Sequence, residues 1–219
     1  LRERIERWPA STGVTLMLAP RATPAELSLV HTEDYLRGFG AGTLGLEAMR
    51  RIGFPWSPEL VERSVRSCGG TIAAARVAMQ RGSGCYLAGG THHARADRGA
   101  GYCVYNDCAV AARILQHEAR ARRVLIVDTD VHQGDGTAAI FAVDPTVFTF
   151  SVHGEENFPA AKAQSDLDLA LPTGTGDEAY LSCLRDGLAE ALARSEPDFV
   201  FYLSGADPFV RDTLGRRAL

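Results

Sequence analysis

The sequence predicts an α/β protein with a doubly wound, mainly parallel sheet and helices on both faces. Strand-like and helix-like stretches alternate along the 219 residues, the pattern of repeated βα units. The runs VLIVD at 124–128 and DFVFYL at 198–203 are almost continuously apolar, as expected of strands covered by helices on both sides. At 106–119, Asn106 stands ready to cap a first turn, while Val110, Ile114 and Leu115 recur at helical spacing, marking a helix with one face turned to the sheet.

Read in order, VTLML at 14–18 has strand composition, and a helical pattern runs from Pro24 to about Arg37. A longer helix is expected from Pro58 to Arg81, then a strand at CYLA, residues 85–88, then the helix opening at Asn106. After VLIVD come a strand TVFTFS at 146–151, a helix from Asp177 to Arg194 and the strand DFVFYL. The chain begins at Leu1 without a methionine, and its closing DTLGRRAL reads as the opening of a helix, so a fragment is expected. There is no internal repeat and no low-complexity linker.

Composition narrows the function. With 46% hydrophobic and 23% charged residues and a net charge of −4, the chain can bury one sizeable core. It shows no basic patch of the kind that binds nucleic acid or a membrane surface. No apolar run approaches the ~18 residues a membrane span needs, and LRERIERW is too polar for a signal peptide; a cytoplasmic location is expected. Cys68, Cys85, Cys103, Cys108 and Cys183 are odd in number and form no C-x-x-C pair, so they read as small buried residues rather than disulfides or thiolate zinc ligands.

In doubly wound sheets, ligands bind beyond the carboxyl ends of the strands. Here CYLA leads into GGTHHARADRGAGY, VLIVD into TDVHQGDG, and DFVFYL into SGADP. If the chain stays extended past Asp128, then Asp128, Asp130 and His132 point to one side. Carboxylates and an imidazole so crowded invite a divalent cation, and a catalytic zinc takes three protein ligands with one position open. Asp130, His132 and Asp207 fit that pattern; alone, Asp207 before Pro208 would read as a turn cap. His92 and His93 sit in a glycine-rich loop suited to reaching a bound water, and Asp128 and Asp135 are natural partners for their rings.

The motifs GGTHHARADRGAGYCVYND, VLIVDTDVHQGDGTA, SVHGEENFPAAKAQSDLDLALPTGTGDEAYL and GADP, in this order, resemble the histone deacetylase family, in its class IV-like or bacterial branch. The resemblance implies the arginase/deacetylase fold and zinc-dependent hydrolysis of an acyl-lysine or a similar amide, such as an acylated polyamine. It marks 1–219 as a single deacetylase-like catalytic domain lacking both ends. It implies Asp130, His132 and Asp207 as zinc ligands, His93 as general base, His92 as its electrostatic partner, and Asp128 and Asp135 as the acids behind them. It further implies that the Gly101 carbonyl receives the substrate amide N–H, that Tyr102 forms one wall of the acyl-lysine tunnel and Phe158 another. A structural potassium ion is implied near Asp128, Asp130 and His132, completed by Ser151 and Val152.

Family members bind the developing oxyanion with a tyrosine in a glycine-rich motif well past GADP. None of Tyr35, Tyr86, Tyr102, Tyr105, Tyr180 and Tyr202 occupies such a motif, so weak activity of this form, or a non-catalytic acyl-amide-binding pseudoenzyme, is the alternative expectation. An arginase-type di-manganese hydrolase fits less well, because HQGDG stands where arginases carry further aspartates.

Overall fold

A computed structural model describes residues 2–9, 12–213 and 215. The helices are α1 (Arg2–Glu6), α2 (Pro24–Leu27), α3 (Glu33–Gly40), α4 (Leu46–Ile52), α5 (Pro58–Arg81), α6 (Asp107–His117), α7 (Asp135–Phe141) and α8 (Asp177–Ser195). Four strands, β1 (Val124–Asp128), β2 (Val147–Gly154), β3 (Leu167–Leu171) and β4 (Phe199–Leu203), form one sheet in the order β3-β2-β1-β4. Every pairing is parallel.

Period-2 alternation in β1 sends its side chains to two different cores. Val124 and Ile126 join Phe201, Leu203 and the buried faces of α5 and α6. Leu125 and Val127 pack with Phe150 and Val152 against Tyr180, Leu184 and Leu188 of α8. The sheet is thus covered on both faces. Fully burying side chains such as Phe39 and Phe150 stabilises the fold by roughly 1.5–3 kcal/mol each. α5 begins on Pro58 with Ser57 Oγ accepting from Leu60 N–H, and α6 begins where Asn106 Oδ1 accepts from Ala109 N–H.

Several expectations need correction. VTLML forms no strand: Val14, Leu16, Met17 and Leu18 are exposed and no described segment pairs with them. CYLA is likewise unpaired, and Cys85 is exposed while Cys183 is half-buried, so only Cys68, Cys103 and Cys108 are buried. β-Propensity alone makes no strand without a ladder partner. The helical pattern from Pro24 breaks into α2 and α3, because Thr32 N–H donates to Ala96 O and His31 bonds Arg95 O, tertiary bonds that take the backbone out of helix. α1, α4, α7 and β3 lie where no element was expected. The expectation of a helix over 212–219 falls largely outside the described residues.

His31 links this turn to the rest of the fold. Its buried ring donates from Nδ1 to Arg95 O at 3.0 Å and accepts at Nε2 from Asn106 N–H at 3.0 Å. Burial pushes its pKa down to about 4, despite the carbonyl bonds that favour the charged form. The unfolded imidazole titrates near 6.5, so between those two values the unfolded chain binds more protons and stability falls on acidification. By the lower value the His31 contribution to the loss approaches about 3 kcal/mol; burial biases His93 and His153 the same way. Urea midpoints near neutrality and at about pH 5 should show this slope, and His31→Gln should flatten it while lowering stability at both. An unchanged slope would remove His31 from the account.

Candidate active site

The strand ends and the loops between them gather the site. Beyond Asp128 the chain does not stay extended; it bends, and each acid accepts from a backbone N–H two residues on. Asp130 N–H donates to Asp128 Oδ1 at 3.1 Å, and His132 N–H to Asp130 Oδ1 at 2.9 Å. These are Asx turns. The acids and His132 therefore converge through turns rather than through strand alternation. From the neighbouring strand end, Asp207 Oδ1 accepts Val131 N–H at 3.1 Å.

Asp130, His132 and Asp207 offer ligand atoms that all lie within 4.8 Å of one another. His132 Nδ1 stands 2.9 Å from Asp130 Oδ1 and 3.1 Å from Asp207 Oδ2. Burial works against charging the His132 ring, but hydrogen bonds and charge from the two carboxylates push its pKa up to about 9. Asp130, half-buried yet bonded to His132, is held down at about 2. One imidazole and two carboxylates this close suit a divalent cation, which would take the place of the His132 proton.

The tandem histidines lie beside this trio, each ring fixed by its own acid. His92 Nδ1 is 2.6 Å from Asp128 Oδ2, and His93 Nδ1 is 2.7 Å from Asp135 Oδ1. The ring centroids are 4.1 Å apart, and that of His93 is 5.9 Å from His132. Their environments push them apart. Burial disfavours charge on His92, but Asp128 and Asp130 override it and raise its pKa to about 9. Burial and the neighbouring His92 charge lower the pKa of His93 despite Asp135.

Close backbone approach fixes the pair. A Cβ on Gly136, in the first turn of α7, would lie 2.4 Å from Ala94 O and 2.6 Å from His92 O, so only glycine lets α7 pack there. Gly101 has φ +52, and a Cβ there would meet the His93 ring at 2.5 Å and Phe158 at 3.2 Å. Tyr102 and Phe158 are half-exposed at the mouth of a cavity of about 940 Å³, lined also by His92, His93, Asp130, His132 and Asp207. The Phe158 ring meets His93 edge-on, 4.8 Å between centroids. Ser151 sits opposite Asp128 in the β1–β2 register, with Val152 next to it, so the residues named for a potassium ion adjoin the acid cluster.

Three features escaped the reading of the sequence. Arg95 donates to the second oxygen of Asp135 at 3.1 Å, orienting the acid behind His93. Buried Asp107 accepts from the backbone N–H of Gly90 and Thr91, tying down the loop that delivers the histidines. Asn106 donates from Nδ2 to Ala94 O and Thr137 Oγ1. The motif ARADRGAGYCVYND contains all three side chains, but their partners are distant in sequence and only the fold names them.

Comparison with known proteins bears on the family and the fold. The family model described as histone deacetylase domain matches residues 2–219. An uncharacterised protein of a Picosynechococcus strain is 52% identical over 195 residues, covering 89% of this chain and 65% of that protein. The acetoin utilization protein AcuC of Bacillus subtilis is 35% identical over 221 residues, covering 90% of this chain and 57% of AcuC. This chain thus spans less than two thirds of the length of either relative. A histone deacetylase homologue from Aquifex aeolicus superposes with a TM-score of 0.77 at 28% identity, over 90% of this chain and 58% of that one. In fold alone the chain also resembles an acetylpolyamine aminohydrolase from Burkholderia pseudomallei, with a TM-score of 0.74 at 23% identity, over 97% of this chain and 75% of that one.

Proposed function

The chain belongs to the histone deacetylase domain family, and from that premise we propose that it is a zinc-dependent amidohydrolase that removes an acyl group from acyl-lysine or a similar amine. One observation carries the reading: a neutral-biased histidine backed by an acid, His93 with Asp135, stands beside the Asp130, His132 and Asp207 trio in a single cavity. Asp130, His132 and Asp207 would hold a zinc ion, which would supply a Lewis acid for the acyl carbonyl and lower the pKa of the attacking water.

The protein groups handle the rest. Water adds to the acyl carbonyl carbon while His93 Nε2 takes its proton; the C–N bond then breaks, and the same proton passes to the leaving nitrogen. The products are a carboxylic acid and a free amine. Asp135, oriented by Arg95, holds the Nδ1 proton of His93 and so leaves Nε2 free as the acceptor. His92, biased toward its charged form by Asp128, stabilises negative charge developing nearby. The Gly101 carbonyl receives the substrate amide N–H, and Tyr102 and Phe158 flank the acyl-bearing chain. Asp128, Asp130 and His132, with Ser151 and Val152, are the residues that would hold a structural potassium ion, whose charge would offset that of the crowded acids. AcuC, named for acetoin utilization, supports only the membership, so the acyl group is left to experiment.

Amine release from acetyl-lysine, longer acyl-lysine and acetylpolyamine substrates tests the proposal. Hydrolysis of at least one of them, abolished by a chelator and restored by zinc, is the expected result. Zinc-loaded protein that releases amine from none would contradict it.

A further inference from the structure

The mouth of the cavity carries a charge pattern that the reaction does not require. Arg50 and Arg51 from the last turn of α4, and Arg63 from α5, line it together with Tyr102. They are held close to the wall. Gly101 N–H donates to Arg51 O at 3.1 Å, and Tyr102 N–H to Ile52 O at 2.7 Å. The Tyr102 ring packs on Gly53, where a Cβ would lie 2.8 Å away, and on Phe54 at 5.1 Å between centroids. The Arg63 guanidinium lies 4.7 Å over the Phe54 ring, so it is stacked rather than free to swing away.

Of the three, only Arg51 meets an acid among the described residues. Arg51 shares an exposed contact with Glu47 at 3.2 Å, and among the described residues no ion pair joins Arg50 or Arg63 to a carboxylate. The carboxylates that line the cavity are Asp130 and Asp207, which belong to the proposed metal trio. A concave mouth of one sign focuses its field on whatever enters.

We infer that Arg50, Arg51 and Arg63 form a basic collar that selects acyl amides whose amine half carries carboxylates. The inference rests on the function proposed above: a substrate entering acyl-first leaves its amine half at the mouth, beside the arginines. An acyl-lysine bearing carboxylate neighbours suits that position. An acylated polyamine, whose remaining nitrogens are cationic, does not. The carboxylate has two possible sources, the lysine's own α-carboxylate in a free acyl-amino acid or acidic residues beside the lysine in a peptide.

Zinc-loaded protein, with binding read at early times before turnover, provides the test. Fluorescence anisotropy compares labelled acetyl-lysine peptides flanked by Asp or by Lys, with free Nε-acetyl-lysine and N-acetylputrescine as unlabelled competitors. The Asp-flanked peptide should bind about tenfold more tightly at low salt, and high salt should narrow the gap. Combined Arg50→Gln, Arg51→Gln and Arg63→Gln should abolish the preference with an unchanged thermal midpoint; the peptide series on the unaltered protein decides even if that variant misfolds. Strong competition by free Nε-acetyl-lysine would assign the α-carboxylate, and its weakness beside the Asp-flanked peptide would assign the flanks; either supports the collar. Equal binding of the two peptides, better competition by N-acetylputrescine, or binding by none of the probes overturns it. Unacetylated peptides separate the two proposals: a charge preference that ignores the acetyl group would sink the deacylation reading alone, and acetyl-dependent binding without charge preference would sink the collar alone.

Discussion

His93→Ala is expected to lower kcat for acyl-amide hydrolysis by about 10² to 10⁴-fold, the usual value of a positioned general base, while bound zinc stays near that of the unaltered protein. The ring is buried, its Nδ1 is engaged by Asp135 at 2.7 Å, and it stands next to the metal trio rather than within it. KM should change little, because the imidazole moves a proton rather than gripping the substrate. His92→Ala should cost less or a comparable amount, since its proposed part is electrostatic. Stoichiometric loss of zinc from His93→Ala would turn the residue into a ligand and overturn this division of labour.

How much of this could be read from the chain differs by element. VLIVD was legible to the residue, because a parallel strand buried on both faces is apolar along nearly its whole length; the helices at Pro58 and Asn106 announced themselves through Pro and Asn at their first turns. β3 was not legible: LDLAL is a half-buried edge strand with Asp168 at its second position, and Asp168 is occupied in accepting from Gln133 and Ser165. α7 hid because its opening, QGDG, reads as a turn, and only the close seat of Gly136 under the histidine loop makes it a helix. VTLML and CYLA carry strand composition but no ladder partner.

The site was more legible than the fold around it. Acids and histidines at strand ends are costly without a purpose, so Asp128, Asp130, His132 and the histidine pair stood out from local sequence. What local sequence could not supply was the reach across the chain. Arg95 finds Asp135, and Asp107 finds the backbone before His92; such contacts depend on folded geometry, not on spacing.

Asp207→Ala should have the other large effect, because this carboxylate joins two chain segments. Its Oδ2 faces His132 Nδ1 at 3.1 Å, and its Oδ1 accepts Val131 N–H at 3.1 Å. Alanine would remove a ligand and release the turn that presents Asp130 and His132. Zinc affinity should fall by more than about 100-fold, beyond the effect of losing an outer hydrogen-bond partner, and hydrolysis should fall with it. Asp207→Asn keeps an oxygen to accept Val131 N–H but not the charge, so it should retain the fold and still lose most of the zinc.

Zinc stoichiometry by elemental analysis is the most direct test of the claim that Asp130, His132 and Asp207 form the metal centre. The unaltered protein and His93→Ala should each hold close to one equivalent, whereas Asp130→Ala, His132→Ala and Asp207→Ala should each hold little. Near-full zinc in both Asp130→Ala and Asp207→Ala would contradict it.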